Sequence, residues 1–262
     1  MSYLISSLIM KRMLLRFPSL LITESMALNV IHGWSRNEFL SSAASSLFFS
    51  APPVERVRSV DAGGGVDLMA EPKLDKYPDV LFPSSMEGLW TCQRSVTTFE
   101  GDSFMGVTAW KALGGTNKSS QLQTFKEEYA SRFIPSNVVD SSYMVLDRGF
   151  EMASRTGVQN LIWDVREPNR LSYYRDNNNK IQIDVIQRLV EAPSDAGFGF
   201  QELYRIFDGP FVRAALVKRR YRRAFDEQNR RQVQGLEIMK TFRVLDGMAG
   251  TEFPTATIKT SI

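Results

Sequence analysis

The residue types that most often carry out chemistry are scarce in this sequence. Its 262 residues include one cysteine, Cys92, and one histidine, His32. A nucleophile paired with histidine therefore has no base after residue 32, and zinc would find only carboxylates beside Cys92. Carboxylate pairs such as Glu100 and Asp102 lack the spacing of a metal-binding loop. We predict no catalytic residue, no metal and no cofactor, and leave open whether the protein is an enzyme.

A dense run of basic residues is the most unusual feature. It begins in a strand at Phe211, where Val212, Ala214 and Leu216 still alternate with Arg213, and it then occupies both faces. Because an unpaired charge is costly to bury, we predict that the outer half projects past the sheet as a two-stranded finger turned by residues 226–229. Its docking residues would be Lys218, Arg219, Arg220, Arg222, Arg223, Arg230 and Arg231.

The finger has three interpretations. It could dock to an anionic membrane surface or an acidic partner, since each basic residue near such a surface contributes about 1 kcal/mol. It could instead be a solvated strand that uses charge to avoid pairing. Nucleic acid is not expected as a partner, because the 32 basic and 29 acidic residues of the chain nearly balance.

Three tryptophans, Trp90, Trp110 and Trp163, are candidate ligand-binding residues. They could line a cavity for an apolar ligand such as a lipid, a pigment or a quinone, or they could simply fill the interior. Barrels of about eight strands lie near the size at which side chains alone fill the interior or one small ligand fits. Both interpretations stay open at this point.

The elements that position these residues are predicted to be strands. From Gly88 onward, apolar residues recur mostly at every second position, as in Leu161, Trp163 and Val165. This alternation is typical of antiparallel strands buried on one face. The sequence Asp-Asn-Asn-Asn at residues 176–179 predicts a hairpin turn. About eight or nine such strands predict a mainly β fold, an antiparallel β-barrel.

One segment departs from the two-residue period. Leu122, Phe125, Tyr129 and Phe133 recur at steps of three and four, which predicts one amphipathic helix that ends at Pro135. A shorter helix is predicted over residues 201–207. The turn sequence at residues 100–102 is predicted to join two strands.

Two resemblances follow from these residues. Gly88-Leu89-Trp90 resembles the Gly-X-Trp of lipocalins and related calycin barrels, which implies a lipocalin-like barrel with an arginine, here Arg243, packed over the tryptophan. A wider resemblance has its marks at Tyr77-Pro78, Gly88-Leu89-Trp90, Asp147-Arg148-Gly149-Phe150, Trp163-Asp164, Pro168-Asn169-Arg170, and Arg188 with Glu191. These marks resemble a family of plastid and cyanobacterial proteins expected in the thylakoid lumen. That family has no assigned chemistry, so the resemblance implies fold and compartment only.

The first 53 residues have the composition of a targeting leader, rich in serine and poor in acids. Arg36 before Phe39-Leu40 resembles a twin-arginine lumen signal, although Asn37 takes the second position. A short amphipathic helix over residues 39–49 is the alternative. We predict a plastid leader over residues 1–53, a linker over 54–76 and the barrel domain over 77–262. The expected location is the chloroplast thylakoid lumen, with the stroma as the alternative.

These features predict a non-catalytic accessory protein at the photosynthetic membrane. Its barrel would hold an apolar ligand, and its basic hairpin would bind the thylakoid membrane surface or a photosystem subunit. Because no apolar stretch reaches about 18 residues, we do not expect an integral membrane protein. One alternative is a barrel enzyme, an isomerase or a lipid- or carotenoid-modifying enzyme that uses Asp, Glu or Tyr as acid and base. Another is a purely structural photosystem subunit.

Overall fold

The computed structural model describes residues 65–71, 77–116, 126–136, 142–176, 179–191, 194 and 197–262, all within one compact unit, Glu55–Ile262. The predicted leader lies outside the described residues. The strands are β1 (Gly65–Asp67), β2 (Phe82–Pro83), β3 (Gly88–Gly101), β4 (Lys126–Pro135), β5 (Tyr143–Leu146), β6 (Leu161–Trp163), β7 (Arg170–Asp176), β8 (Asn179–Val190), β9 (Phe198–Asp208), β10 (Phe211–Phe225), β11 (Arg231–Phe242), β12 (Val244–Leu245), β13 (Met248–Gly250) and β14 (Ala256–Ser261). The described helices are α1 (Ser103–Ala112) and α2 (Arg148–Thr156), with a 3₁₀ turn at Ser84–Met86.

Eleven of the strands form one antiparallel sheet in the order β2-β5-β4-β3-β14-β11-β10-β9-β8-β7-β6. The sheet curls into a half-barrel, and β1, β13 and β12 form a separate three-stranded sheet. The mainly β, antiparallel fold is therefore confirmed. The main sheet has eleven strands rather than eight or nine, and its outermost strands, β2 and β6, do not pair with each other in the described ladders. Strand β1 falls within the stretch that the sequence assigns to a linker.

Two predicted helices are wrong. Residues 126–135 form β4, which pairs with β3 and β5, and residues 201–207 belong to β9. Tyr129 and Phe133 are four residues apart, and a step of four fits a two-residue strand period as well as a helical turn. In β9, Leu203 is buried under the small sheet while Ile206 is buried inside the half-barrel. A strand buried on both faces loses its alternation. Leu122 and Phe125 lie outside the described residues.

The two described helices begin where a carboxylate caps them. Asp102 Oδ1 accepts the backbone N–H of Met105 at 3.0 Å, and Asp147 Oδ1 accepts that of Phe150 at 2.8 Å. Each bond satisfies one of the free N–H groups in the first helical turn. Residues 100–102 therefore start α1 rather than turn a hairpin. Helix α2 ends at Gly157, whose φ of 72° lies in the left-handed region that glycine adopts without strain.

The hairpin of β10 and β11 carries the basic run. Strand β10 pairs with β9 as far as Tyr221, and β11 pairs with β14 and the residue after it as far as Gly235. Beyond these points, residues 222–225 and 231–234 pair only with each other. We call these eight residues the basic extension. The predicted hairpin is present, but its free part is shorter than predicted, because residues 218–221 still lie within the main sheet.

Three groups of buried side chains are found among the described residues. The largest lies inside the half-barrel and surrounds Trp110 of α1. The second lies toward the basic extension, around Phe82, Phe133 and Phe198. The third covers the opposite face of the sheet, where Leu203 and Phe242 pack under the three-stranded sheet. The half-barrel thus has one filled middle and one aromatic end.

Candidate functional site

The interior of the half-barrel holds a closed ring of ion pairs. In order around the ring, its members are Arg94 (β3), Glu237 (β11), Arg219 (β10), Glu151 (α2), Arg155 (α2) and Glu127 (β4). The N–O distances include 3.0 Å for Arg94 to Glu237, 2.6 Å for Glu237 to Arg219 and 3.3 Å for Glu151 to Arg155. Charges alternate around it, so the ring is neutral. We call these six residues the six-charge ring.

The six-charge ring favours the ionised forms of Glu237 and Arg219. Burial alone would raise the pKa of the Glu237 carboxyl, but the guanidinium groups of Arg219 and Arg94 outweigh it and hold that pKa below its ordinary value. Burial would likewise lower the pKa of Arg219, but the charge of Glu237 raises it well above its ordinary value. Arg94 also stacks over Trp110, with its guanidinium carbon 3.9 Å from the ring centroid.

A second neutral group of charges lies on the same inner face. Glu202 of β9 binds Arg148 of α2 at 2.8 Å and Arg188 of β8 at 2.7 Å, and Asp79 bridges the two arginines from outside the sheet. Tyr204 donates its hydroxyl hydrogen to Glu202. Burial would raise the pKa of Glu202, but the two arginines hold it well below its ordinary value. We call these residues the Glu202 cluster.

The space between these charges is small. A cavity of about 80 Å³ is lined by the members of the six-charge ring other than Glu127, by Arg148 and Tyr204 of the Glu202 cluster, and by Trp110. It could hold a few water molecules, each of which needs roughly 10–15 Å³ of such space. Lipids, pigments and quinones need far more, because pockets for drug-sized ligands measure about 300–1,000 Å³. The middle of the half-barrel is therefore nearly filled.

A larger space lies at the aromatic end. A groove of about 590 Å³ runs between the basic extension and the start of β3. Its floor includes Trp90, Phe198, Tyr221 and Val233. The rings of Phe198 and Tyr221 stack with centroids 5.3 Å apart, and the indole N–H of Trp90 donates to the carbonyl of Met86 at 2.7 Å. These contacts fix the floor and leave the faces of the apolar side chains toward the groove.

The rim of the groove carries cations. By the alternation along β10, Arg219, Tyr221, Arg223 and Phe225 share the inner face. Arg223 and Arg231 are exposed and line the groove. Within the part of the chain that the structure describes, neither forms an ion pair or a side-chain hydrogen bond. The groove thus combines an apolar floor with two positive charges that have no ion-pair partner among the described residues.

The predicted docking residues divide between the two faces of the hairpin. Lys218, Arg220 and Arg222 alternate on the outer face. Glu191 lies 4.0 Å from Lys218 and 3.7 Å from Arg220, and Arg222 donates to the side-chain oxygen of Gln234.

Two other predicted docking residues are already held by carboxylates. Arg230 binds Asp226 in the turn. Arg219 does not belong on the docking surface, because its side chain is 11% exposed and lies in the six-charge ring.

The three predicted tryptophans do not share one cavity. Trp110 borders the small interior cavity, Trp90 belongs to the floor of the groove, and Trp163 packs against the interior group from β6. Arg243 is exposed between β11 and β12. Among the described contacts, Arg94 stacks over Trp110, and no contact of Arg243 with Trp90 is found.

Other chemistry finds little in the described residues. No group of three or more His, Cys, Asp or Glu side chains there could hold a metal ion. The Cys92 thiol lies 3.5 Å from the hydroxyl of Ser131. Because burial raises the pKa of this thiol, it is not an activated thiolate. Neither described helix combines the length and the apolar character needed to cross a membrane.

Fold and site together define a class: a curled antiparallel β scaffold with a neutral ionic interior and an arginine-rimmed apolar groove. The chain belongs to the family described as a domain of unknown function (DUF6816), whose sequence model matches residues 76–259. No curated protein and no solved structure matches the chain. The lipocalin resemblance and the plastid origin stay predictions.

Proposed function

We propose that the protein is a non-catalytic binding protein of the photosynthetic membrane that holds an apolar ligand in the groove at the basic extension. The observation that carries the proposal is the groove itself, with its aromatic floor and its volume of about 590 Å³. Ligand sites are typically concave and mostly apolar, with a few polar groups that fix orientation. Lipid, pigment and quinone are the ligand classes that such a floor accommodates. The lipocalin-like use of the scaffold belongs to this proposal.

The ionic interior favours binding over catalysis. A general acid near neutral pH needs a raised carboxyl pKa, whereas Glu202 and Glu237 are held ionised by paired arginines. A carboxylate that stays ionised at neutral pH has no proton to donate as a general acid. The barrel-enzyme alternative therefore gains no support from these two carboxyls.

The outer face of the hairpin supports the docking part of the proposal. Lys218, Arg220 and Arg222 form a short basic row there, and anionic lipid headgroups attract such rows by about 1 kcal/mol per residue. The net gain is smaller here because Glu191 lies near two of them. We place the protein in the thylakoid lumen, against the membrane surface or a photosystem subunit.

Binding of an uncharged apolar dye tests the ligand part. The delipidated protein should bind Nile red in the groove and raise its fluorescence. Val233→Asp puts a charge on the floor and should weaken binding at least tenfold. Leu236→Asp also replaces an apolar residue by a charged one, on the outer face of the same strand, and should leave binding unchanged. Equal binding by both variants would place the ligand elsewhere.

Vesicle sedimentation tests the docking part. The triple variant Lys218→Ser, Arg220→Ser, Arg222→Ser should lose binding to anionic vesicles and should lose its dependence on salt. A control variant should keep both the vesicle binding and its dependence on salt. It removes three exposed cations elsewhere, by Lys126→Ser, Arg166→Ser and Arg243→Ser. If the first variant binds with unchanged salt dependence, the docking role is wrong.

A further inference from the structure

Arg223 and Arg231 lie on one face of the basic extension and next to each other. In the register of the hairpin, Arg223 lies opposite Val233 and Arg231 lies opposite Phe225. The two arginines are therefore diagonal neighbours, about 7–8 Å apart at the backbone, which long side chains can span. Both belong to the inner face, above the apolar floor of the groove.

Among the described residues, neither guanidinium group has a carboxylate partner. The nearest acid in the described turn, Asp226, accepts from the side chain of Arg230 and from the backbone N–H of Gln228 and Arg230. Every other inner-face arginine of the half-barrel described above has a carboxylate partner. Two unpaired cations side by side repel each other, and an anion placed between them would remove the repulsion.

The floor below the two cations is apolar and aromatic. Trp90, Phe198, Tyr221 and Val233 offer no charged group to a ligand in the groove. An anion that binds here therefore meets a cationic rim at one end and an apolar surface at the other. Inorganic anions would use only the rim, whereas an acidic molecule with an apolar body would use both.

We propose that the occupant of the groove is a single-chain acidic amphiphile, a long-chain carboxylate bound between Arg223 and Arg231 with its chain along the apolar floor. The inference rests on the proposed binding function and names the ligand class. Guanidinium groups pair with carboxylate oxygens through short charge-assisted hydrogen bonds. The groove volume suits one acyl chain, and two-chain lipids would need twice the apolar space.

Calorimetry with two ligands of equal chain length tests the head group. The protein should bind oleate, below its micelle concentration, at least about tenfold more tightly than oleyl alcohol. Charge-assisted hydrogen bonds contribute more free energy than neutral ones, and about 1.4 kcal/mol corresponds to a tenfold difference in Kd. Arg223→Gln with Arg231→Gln should abolish the preference and leave alcohol binding unchanged. Arg166→Gln with Arg243→Gln removes the same charge elsewhere and should keep the preference. Circular dichroism and the Tm confirm that each variant is folded.

Contact quenching tests the position of the chain. Dibromostearate should quench tryptophan fluorescence by contact with Trp90, and Trp90→Phe should remove most of that quenching. Quenching that persists in Trp90→Phe would place the acyl chain of the ligand away from the groove and overturn the assignment.

The remaining outcomes separate the two proposals. Equal affinity for oleate and oleyl alcohol would overturn the acidic head group and leave the apolar-ligand function standing. Binding of neither ligand would overturn the binding function itself. Binding to anionic vesicles through Arg223 and Arg231, without binding of monomeric oleate, would assign these arginines to a membrane surface and would also overturn the inference.

Discussion

Arg219 and Arg223 lie four residues apart on the same face of β10, and the fold treats them in opposite ways. Arg219 is nearly buried and binds Glu237 at 2.6 Å, whereas Arg223 is exposed and has no ion-pair partner among the described residues. The hairpin register explains the difference, because Glu237 lies opposite Arg219 and Val233 lies opposite Arg223. The neighbouring strand, rather than the basic run itself, decides which cation the protein can bury.

Removing the buried cation should have the largest effect. Arg219→Met removes one positive charge that pairs with the buried carboxylates of Glu237 and Glu151. Breaking a buried ion pair in this way typically costs about 3–5 kcal/mol. Urea unfolding should show this loss in the free energy of unfolding. Arg223→Met, the matched change on the same face, should cost less than about 0.5 kcal/mol. Equal losses would contradict the contrast between the two positions.

Acid should have the next largest effect on stability, because it neutralises the carboxylates that pair with the buried arginines. The folded-state pKa values of Glu202 and Glu237 lie below the ordinary value of 4.5. Their stabilising contribution is therefore complete above about pH 5 and is lost as the pH falls below 4.5 toward the folded-state values. A folded-state pKa that is lower by one contributes about 1.4 kcal/mol to the free energy of unfolding. Urea unfolding from pH 7 to pH 3 should show the fall, and Glu202→Gln should make it shallower. Stability that rises on acidification would refute the argument.

A double-mutant cycle should show a smaller, compensating effect. Arg219→Met or Glu237→Met alone leaves a surplus charge in the six-charge ring, whereas the double variant leaves four charges that sum to zero. The double variant should lose about 0.5–3 kcal/mol less in the free energy of unfolding than the two single variants lose together. Strict additivity would mean that the two side chains act independently despite their contact.

The smallest effect is expected at the exposed cation. Arg223→Gln should change the free energy of unfolding by less than about 0.5 kcal/mol, with a slight gain at low salt because it relieves repulsion from Arg231. Thermal unfolding at low and high ionic strength can detect the sign. A clear loss of stability would mean that Arg223 has a structural role.

The strand pattern could be predicted from sequence wherever apolar and polar side chains alternate, even where the polar ones, such as Ser172 and Asp184, are also buried. Strands β7 and β8 and the hairpin between them follow the predicted alternation and turn, although Asn177 and Asn178 lie outside the described residues. The pattern failed where both faces are buried, as in β9, and where a spacing of four fits two periods, as at Tyr129 and Phe133. Local periodicity reports a difference in polarity between the two faces of a strand, so it loses its signal where apolar residues lie on both faces.

The candidate site was only partly predictable. Charge on both faces of the basic run correctly indicated a part of the hairpin outside the main sheet. The same reasoning misplaced Arg219, because its partners come from distant parts of the chain, Glu151 in α2 and Glu237 in the returning strand. Arg94 and Glu237 are 143 positions apart. A single sequence gives no signal for such pairings beyond the near balance of its 32 basic and 29 acidic residues. The groove was missed for the same reason, since its floor joins β3, β9, β10 and β11.

The outermost strands of the long sheet, β2 and β6, contain only two and three residues. Strands at the border of an open sheet expose unpaired backbone groups, which can template the addition of a strand from another molecule. Borders this short offer an incoming strand very few hydrogen bonds. At these two strands, the open half-barrel therefore offers little template for self-association into fibrils.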